Sequence, residues 1–185
     1  PKTFIGEPND LFWIAEAGGT WKLNEGTLDG RAGAGGWYHN GTFDRFSGDT
    51  QNGTEGFYFF IEQMLWRERP ADEDDEQGIG AFVMYGHADD DVAEADHHVG
   101  AGLTWKGAIP DRDNDVLGMG ANWVHFSHAN GADFADSYEL AIEYFYKLQL
   151  TPCLSIKPDL QHIINPGGTG LGDAVVGTIR VEITF

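Results

Sequence analysis

The chain has 185 residues, of which 30 are acidic and 11 are basic, so its formal charge at pH 7 is −19. Because phosphate binding requires a basic surface, this balance argues against nucleic acid as a partner. Aromatic residues make up 13% of the chain and glycine accounts for 26 residues, which is typical of β-rich proteins with many turns. The length fits one domain, and we treat 1–185 as a single unit.

A transmembrane helix is not predicted, because the sequence has no uncharged apolar stretch of about eighteen residues. A transmembrane strand needs only about 9–11 residues and gives a weak hydropathy signal, so a β-structured membrane protein stays possible. The lone Cys153 excludes an intramolecular disulfide framework.

Clusters of Gly, Asn, Asp and Pro divide the chain into about nine strand-like runs, without an amphipathic helical pattern between them. This organisation predicts an all-β fold. The runs are 10–21, 30–40, 55–67, 77–88, 95–107, 114–127, 136–149, 152–164 and 173–185.

The alternation of side chains becomes clearer along the chain. In 55–67 aromatic residues fall on both faces and Glu62 is the only interior charge, so the facing is left open there. The run 136–149 alternates strictly, which excludes a helix, and its apolar, tyrosine-rich face resembles an interfacial aromatic belt. The run 152–164 repeats the pattern, although its Pro158 is expected at a bulge or a sheet edge.

The last run, 173–185, also has two unlike faces. Ile179 and Val181 share one face, whereas Arg180 and Glu182 share the other. Period-two alternation marks a strand with different solvents on its faces. If the apolar solvent is lipid, this is a strand of an outer-membrane β-barrel.

Connection lengths give a second, weaker indication. Outer-membrane barrels have long outside loops and short periplasmic turns. With the chain end on the periplasmic side, the outside connections would be 41–54, 89–94, 128–135 and 165–172, and the periplasmic ones 22–29, 68–76, 108–113 and 150–152. The acidic connection 68–76 departs from the pattern because it is long.

The segment 139–168 closely resembles the C-terminal signature of the carbohydrate-selective porins, the OprB family. It contains Gln149-Leu-Thr-Pro152, Pro158-Asp-Leu-Gln161 and Asn165-Pro-Gly-Gly168, and an Arg-containing strand ending in Phe follows it. Shorter matches extend the resemblance in order over about residues 10–185. One departure is Cys153, which stands where the family usually has an aromatic residue.

The resemblance implies an antiparallel transmembrane β-barrel in the bacterial outer membrane, with about sixteen strands in the complete barrel. Nine predicted strands would then be the C-terminal portion, and the remaining strands of a longer chain are expected partners. Sugars or similar small polar solutes would diffuse through the lumen, with outer-membrane lipid around the barrel, and a homo-oligomeric assembly is compatible with this arrangement. It implies no cofactor and no enzymatic reaction.

Turning the apolar faces toward lipid gives two sets of expected site residues. Lumen groups would replace the water that a solute loses, although opposite charges on neighbouring strands also brace a barrel wall. Trp37 and Phe145 are candidates for stacking on sugars. The expected pore-lining residues are Glu16, Arg31, Glu62, Lys106, Glu139, Glu143, Lys147, Lys157, Asp159, Gln161, Arg180 and Glu182. The expected lipid-facing residues are Tyr138, Leu140, Ile142, Tyr144, Tyr146, Leu148, Ile179, Val181, Ile183 and Phe185.

No metal or catalytic site is assigned. Asp111, Asp113 and Asp115 are spaced like the start of a calcium loop, but Val116 stands where that loop requires Gly. The acidic stretch 89–96 is a solvated loop or a surface Ca²⁺ site. His97 and His98 are adjacent and point to opposite faces, which argues against a shared metal.

Two other functions are compatible with the pattern. The main alternative is a soluble or surface-attached, lectin-like β-sandwich that binds carbohydrate, in which the apolar faces meet across a core. The other is a membrane barrel with a plugged lumen and an adhesive or structural role.

Overall fold

The computed structural model describes residues 10–72 and 74–184. Within them the chain forms nine strands, each antiparallel to the next in sequence, and one short 3-10 helix, Pro166–Gly168. The strands are β1 (Phe12–Leu23), β2 (Leu28–Asp44), β3 (Thr50–Arg67), β4 (Gly78–Ala88), β5 (Ala95–Lys106), β6 (Val116–Phe126), β7 (Tyr138–Thr151), β8 (Leu154–Ile164) and β9 (Ala174–Ile183). The all-β prediction is confirmed.

The strands form one sheet in the order β1 to β9, with β1 and β9 at its edges. Over the described residues these edge strands do not pair with each other, so the sheet is open. The sandwich alternative requires a second sheet packed on the first, and the described residues form no second sheet.

The sheet also lacks the dry interior of a sandwich. Among the described residues, Phe126 is the one apolar side chain that is buried as part of a core. Large apolar side chains are instead exposed along most of the strands. No helix in residues 10–72 and 74–184 has the length and apolar character needed to cross a membrane.

The expected difference in connection length between the two sheet ends is wrong in part. The connections 68–77 and 107–115 are longer than 45–49 and 89–94, which lie at the opposite end. The reason is that β2 and β3 extend into the predicted loop 41–54. Their pairing resumes at Thr42↔Asn52 after an irregularity beyond His39.

The connections 45–49, 89–94, 127–137 and 165–173 share one end, which we name the loop end, and the others lie at the turn end. Backbone hydrogen bonds join each loop-end connection to the next one along the chain. Phe46 N donates to Asp91 O at 3.1 Å, Ser127 N to Glu94 O at 2.9 Å, and Ala135 N to Gly168 O at 2.8 Å. Backbone hydrogen bonds thus join all four loops.

Pro158 lies within β8, which is an interior strand, and not at the expected bulge or edge. It pairs with Ile179 of β9. On the other side, pairing with β7 stops after Phe145↔Asp159 and resumes at Leu148↔Ile156 in the same register. Because proline lacks an N–H, the ladder is interrupted there without a shift of register.

Candidate functional site: the two faces of the sheet

The strand registers assign each side chain to one of two faces, because directly paired residues lie on the same side of a sheet. One row crosses seven of the nine strands, from Arg31 and Glu62 through Phe82, Gly102 and Gly120 to Glu143 and Gln161. We name the side that carries this row the polar face. The registers, including those of β1 and β9, place every residue of the expected pore-lining set on this face.

The opposite side, the apolar face, carries the expected lipid-facing residues from Tyr138 to Ile183. Phe185 lies outside the described residues. The facing that was left open in β3 is also resolved: Tyr58 and Phe60 lie on the polar face, whereas Phe57 and Phe59 lie on the apolar face.

The apolar face is exposed along its length. Ile179 is 73% exposed and Tyr144 is 53% exposed. On β7, Tyr138 and Tyr146 bracket this surface, and two strands away His97 and Trp105 bracket β5 in the same rows. Eight residues separate the members of each pair, which is about 26 Å along a strand. Aromatic or imidazole rings therefore stand at both ends of an apolar stretch.

On β2 and β3, the polar face carries a bidentate ion pair. Arg31 Nε donates to Glu62 Oε2 at 2.7 Å, and its second nitrogen donates to Oε1 at 2.6 Å. Both side chains are about half exposed. Nearby on β1, the carboxylate of Glu16 accepts a hydrogen bond from Tyr58 Oη at 2.5 Å. Arg31, Glu62 and Glu16 are thus all accessible to solvent.

A second cluster joins β7 and β8. Lys157 Nζ lies 3.3 Å from Glu143 Oε1 and 3.8 Å from the centre of the Phe145 ring. Gln161 Nε2 donates to Glu143 Oε2 at 3.3 Å. The ammonium is thus held between a carboxylate and an aromatic face, which is a favourable cation–π arrangement.

The cluster continues to the edge strand β9. Lys147 Nζ donates to Glu182 Oε2 at 2.6 Å across β8. Arg180 lies directly opposite Lys157 in the register. Asp159 is 9% exposed, and its Oδ1 has no hydrogen-bond partner among the described residues.

Two expected pore-lining residues have partners at the sheet ends. Lys106 pairs with Glu76 in the turn-end connection 68–77. Glu139 accepts a hydrogen bond from the backbone N–H of Gly167 at 2.6 Å and so holds a loop-end connection. Each contact therefore joins a strand to a connection at the end of the sheet.

Sequence reasoning missed how aromatic rings lie on the polar face. Opposite several of them stands a glycine, whose missing Cβ leaves room for the ring. A Cβ on Gly102 would lie 2.6 Å from Phe82 Cε1, and one on Gly33 would lie 2.8 Å from Phe60 Cε1. The rings therefore lie along the wall. The signal in the sequence is the combination of glycines and aromatics at alternate positions, but the register is needed to pair them.

A row of histidines was also missed. His87, His97 and His125 are paired across β4, β5 and β6 on the apolar face, and His128 follows in the loop. His125 Nδ1 lies 2.7 Å from a carboxylate oxygen of Asp96. No group of His, Cys, Asp or Glu side chains in residues 10–72 and 74–184 is arranged to hold a metal ion.

Asp115 organises the turn end. It is 2% exposed, and it accepts hydrogen bonds from Arg112 Nε at 2.7 Å, Gln149 N at 2.8 Å and the Tyr146 hydroxyl. Burial acts to raise the pKa of the Asp115 carboxyl, but these hydrogen bonds outweigh it and the pKa lies below its ordinary value.

An open antiparallel sheet with one charged face and one exposed apolar face has the pattern of strands in the wall of a transmembrane β-barrel. Residues 6–185 match the carbohydrate-selective porin OprB family. The chain belongs to this family.

Two relatives match parts of the chain. The chain is 25% identical to Porin B of Pseudomonas aeruginosa over 132 residues, covering 60% of this chain and 29% of that protein. It is 30% identical to a Nostoc protein over 123 residues, covering 63% of this chain and 20% of that protein. The chain thus spans less than a third of the length of these relatives.

Solved structures share the fold. The high-pH structure of Pseudomonas putida OprB matches with a TM-score of 0.83 at 21% identity, over 94% of this chain and 48% of that one. The low-pH structure of the same protein matches with a TM-score of 0.55 at 17% identity, over 94% and 55% of the two chains.

Proposed function

We propose that this sheet forms part of the wall of a water-filled pore in the bacterial outer membrane. Sugars or similar small polar solutes diffuse through the pore without chemical reaction. The segregation of side chains between the two faces carries the proposal. A solute that loses water in a constriction needs replacement hydrogen bonds, and the carboxylates, amides and guanidinium groups of the polar face offer them.

Residues 1–185 act as one unit in this proposal, and the unpaired edges of β1 and β9 meet further strands. Unpaired backbone N–H and C=O groups in hydrocarbon cost several kcal/mol each, because no water is present to satisfy them. A closed barrel is therefore the form in which these strands cross a membrane. Assembly into a homo-oligomer stays a prediction.

The polar face is equipped for weak binding. The Arg31–Glu62 pair and the Glu143–Lys157–Gln161 cluster are each at least partly exposed and internally satisfied. They can therefore exchange a hydrogen bond with a solute without leaving a buried charge behind. Weak sites favour transport, since a solute must also leave.

Liposome swelling tests the proposal. The full-length protein is reconstituted into vesicles, and the swelling rate is measured in glucose, in a disaccharide and in a large dextran. We expect swelling in the two small sugars and none in the dextran. A protein that assembles in the vesicles yet gives no swelling in any sugar would fit the plugged barrel and contradict the pore.

A further inference from the structure

A cavity of about 280 Å³ lies at the turn end, where the connections 68–77 and 107–115 meet β5. We name it the turn-end cavity. Five carboxylates line it against only two basic side chains, Arg69 and Lys106, so its lining is strongly acidic. The acidic residues are Asp72, Asp74, Asp75, Glu76 and Asp113. Such a concave acidic surface favours a cationic ligand.

Contacts within the protein shape the wall of this cavity. Lys106 pairs with Glu76 and so ties the connection 68–77 to β5. The two carboxylate oxygens of Asp75, which is 9% exposed, accept hydrogen bonds from the backbone N–H groups of Arg69 at 2.9 Å and Gln77 at 3.1 Å. These contacts fix the connection, so a ligand would not have to order it on binding.

Other acceptors of the cavity have no donor. Asp74 and Asp113 belong to different connections, both are exposed, and neither side chain has a hydrogen bond or ion pair within residues 10–72 and 74–184. Gln77 lines the same cavity and is 5% exposed, and its Oε1 has no hydrogen-bond partner in those residues. A buried amide oxygen without a donor costs free energy, which a donor bound in the cavity would recover. This oxygen points to a ligand independently of the acidic charge.

An ammonium group supplies what these acceptors lack, since it carries a positive charge and three N–H donors and has no acceptor of its own. In the part of the chain that the structure describes, no side chains are arranged to ligate a single metal ion. Two carboxylates on separate connections, with an amide oxygen in the same cavity, suit instead a cation whose charges are spaced along a chain.

We propose that the turn-end cavity binds a linear aliphatic polyamine. One ammonium group meets Asp74, a second meets Asp113, and Gln77 Oε1 accepts a hydrogen bond from one of them. The inference goes beyond the proposed pore function, because binding requires only the folded turn end. Lys106 lies on the polar face, so the bound polyamine lies at the turn-end rim of that face.

The test is isothermal titration of spermidine into the full-length protein in a nonionic detergent at physiological salt. D113N and D74N each remove one unpartnered carboxylate, and both positions are exposed, so we expect both variants to fold. Asp111→Asn is the matched control, because Asp111 is exposed on the same connection as Asp113 but does not line the cavity. Its replacement changes the net charge equally. Titration with Mg²⁺ tests a metal ion in place of the polyamine.

We expect spermidine to bind the wild type. Its dissociation constant should rise about fivefold in D113N and in D74N, the loss expected for one partly exposed charge pair, and should stay unchanged in D111N. No binding to the wild type, or equal affinity in the wild type and both cavity variants, overturns the site.

Two further outcomes also decide against the proposal. An equal loss of affinity in D111N would trace the binding to the overall negative charge of the chain and overturn the site. Mg²⁺ that binds more tightly than spermidine, and is weakened by D113N, would assign the cavity to a metal ion and overturn the polyamine. Neither outcome bears on swelling in sugars, so the pore is tested separately.

Discussion

Replacing Ile179 by Arg tests whether the apolar face meets hydrocarbon. Ile179 is 73% exposed on β9, a strand of ten residues from Ala174 to Ile183. Such a strand is about 30 Å long, and at a tilt of about 40° it rises about 23 Å, close to the apolar band of about 25 Å in outer-membrane barrels. Ile179 is the sixth of the ten residues and so lies near the middle of the band.

Arg at the bilayer midplane costs about 2–4 kcal/mol, because a charged group leaves water for hydrocarbon. We therefore expect I179R to lower the folding equilibrium constant by about 30-fold to about 700-fold, since each 1.4 kcal/mol is a factor of ten. The measurement is urea-dependent folding of the full-length protein into phosphatidylcholine vesicles.

Thr178→Arg is the matched control, since it places the same side chain one residue away on the polar face. Thr178 is exposed and lies opposite Asp159, whose Oδ1 has no partner among the described residues. A guanidinium there meets water and a carboxylate, so we expect a change within about 1 kcal/mol. Equal destabilisation by the two substitutions, or a larger loss from T178R, would refute the assignment of the faces.

Three further predictions concern the polar face and the turn end. Glu143→Gln should leave folding intact and reduce the preference for cations, because one lumen carboxylate is lost; a reversal potential under a salt gradient that does not move would contradict this. Gly102→Ala should destabilise the protein by about 1–3 kcal/mol in vesicle unfolding, because its Cβ would meet the Phe82 ring. Gly86→Ala is the control and should be nearly neutral, because a Cβ there meets nothing within 4 Å. Equal effects of the two substitutions would count against the placement of the Phe82 ring. Asp115→Asn should lower the free energy of unfolding by about 1–3 kcal/mol and weaken its dependence on pH in acid. Because the pKa of Asp115 is lowered in the folded protein, the stabilisation by its carboxylate is fully present above the unfolded pKa of about 3.9 and is lost as the pH falls through the folded pKa. An identical loss of stability in acid for the two proteins would exclude this role.

The strands and their faces were predictable over much of the chain. Strict alternation in β7 and β9 was enough to separate Tyr144 and Ile179 from Glu143 and Arg180, and the registers agree with that separation. In β3 the sequence left the facing open, because aromatic residues occupy both sides of the strand. Only pairing with Arg31 on β2 assigns Glu62 to the polar face.

The contacts between strands were not predictable in the same way. The Lys147–Glu182 pair, the row of His87, His97 and His125, and the ring of Phe60 over Gly33 each join residues that are distant in sequence. The extension of β2 past the predicted boundary also depends on a partner, since β3 supplies its hydrogen bonds beyond His39.

Alternation is a property of each extended strand, because successive side chains must point to opposite sides of the backbone. The amino-acid order alone therefore determines which residues of one strand share a face and, in β7 and β9, that one of the two faces is apolar. Register depends on how each strand is positioned against its neighbours, and a shift of one residue would exchange every contact across the sheet. The tertiary structure decides which charges pair and which glycines receive the rings, because cross-strand pairing brings those residues within reach.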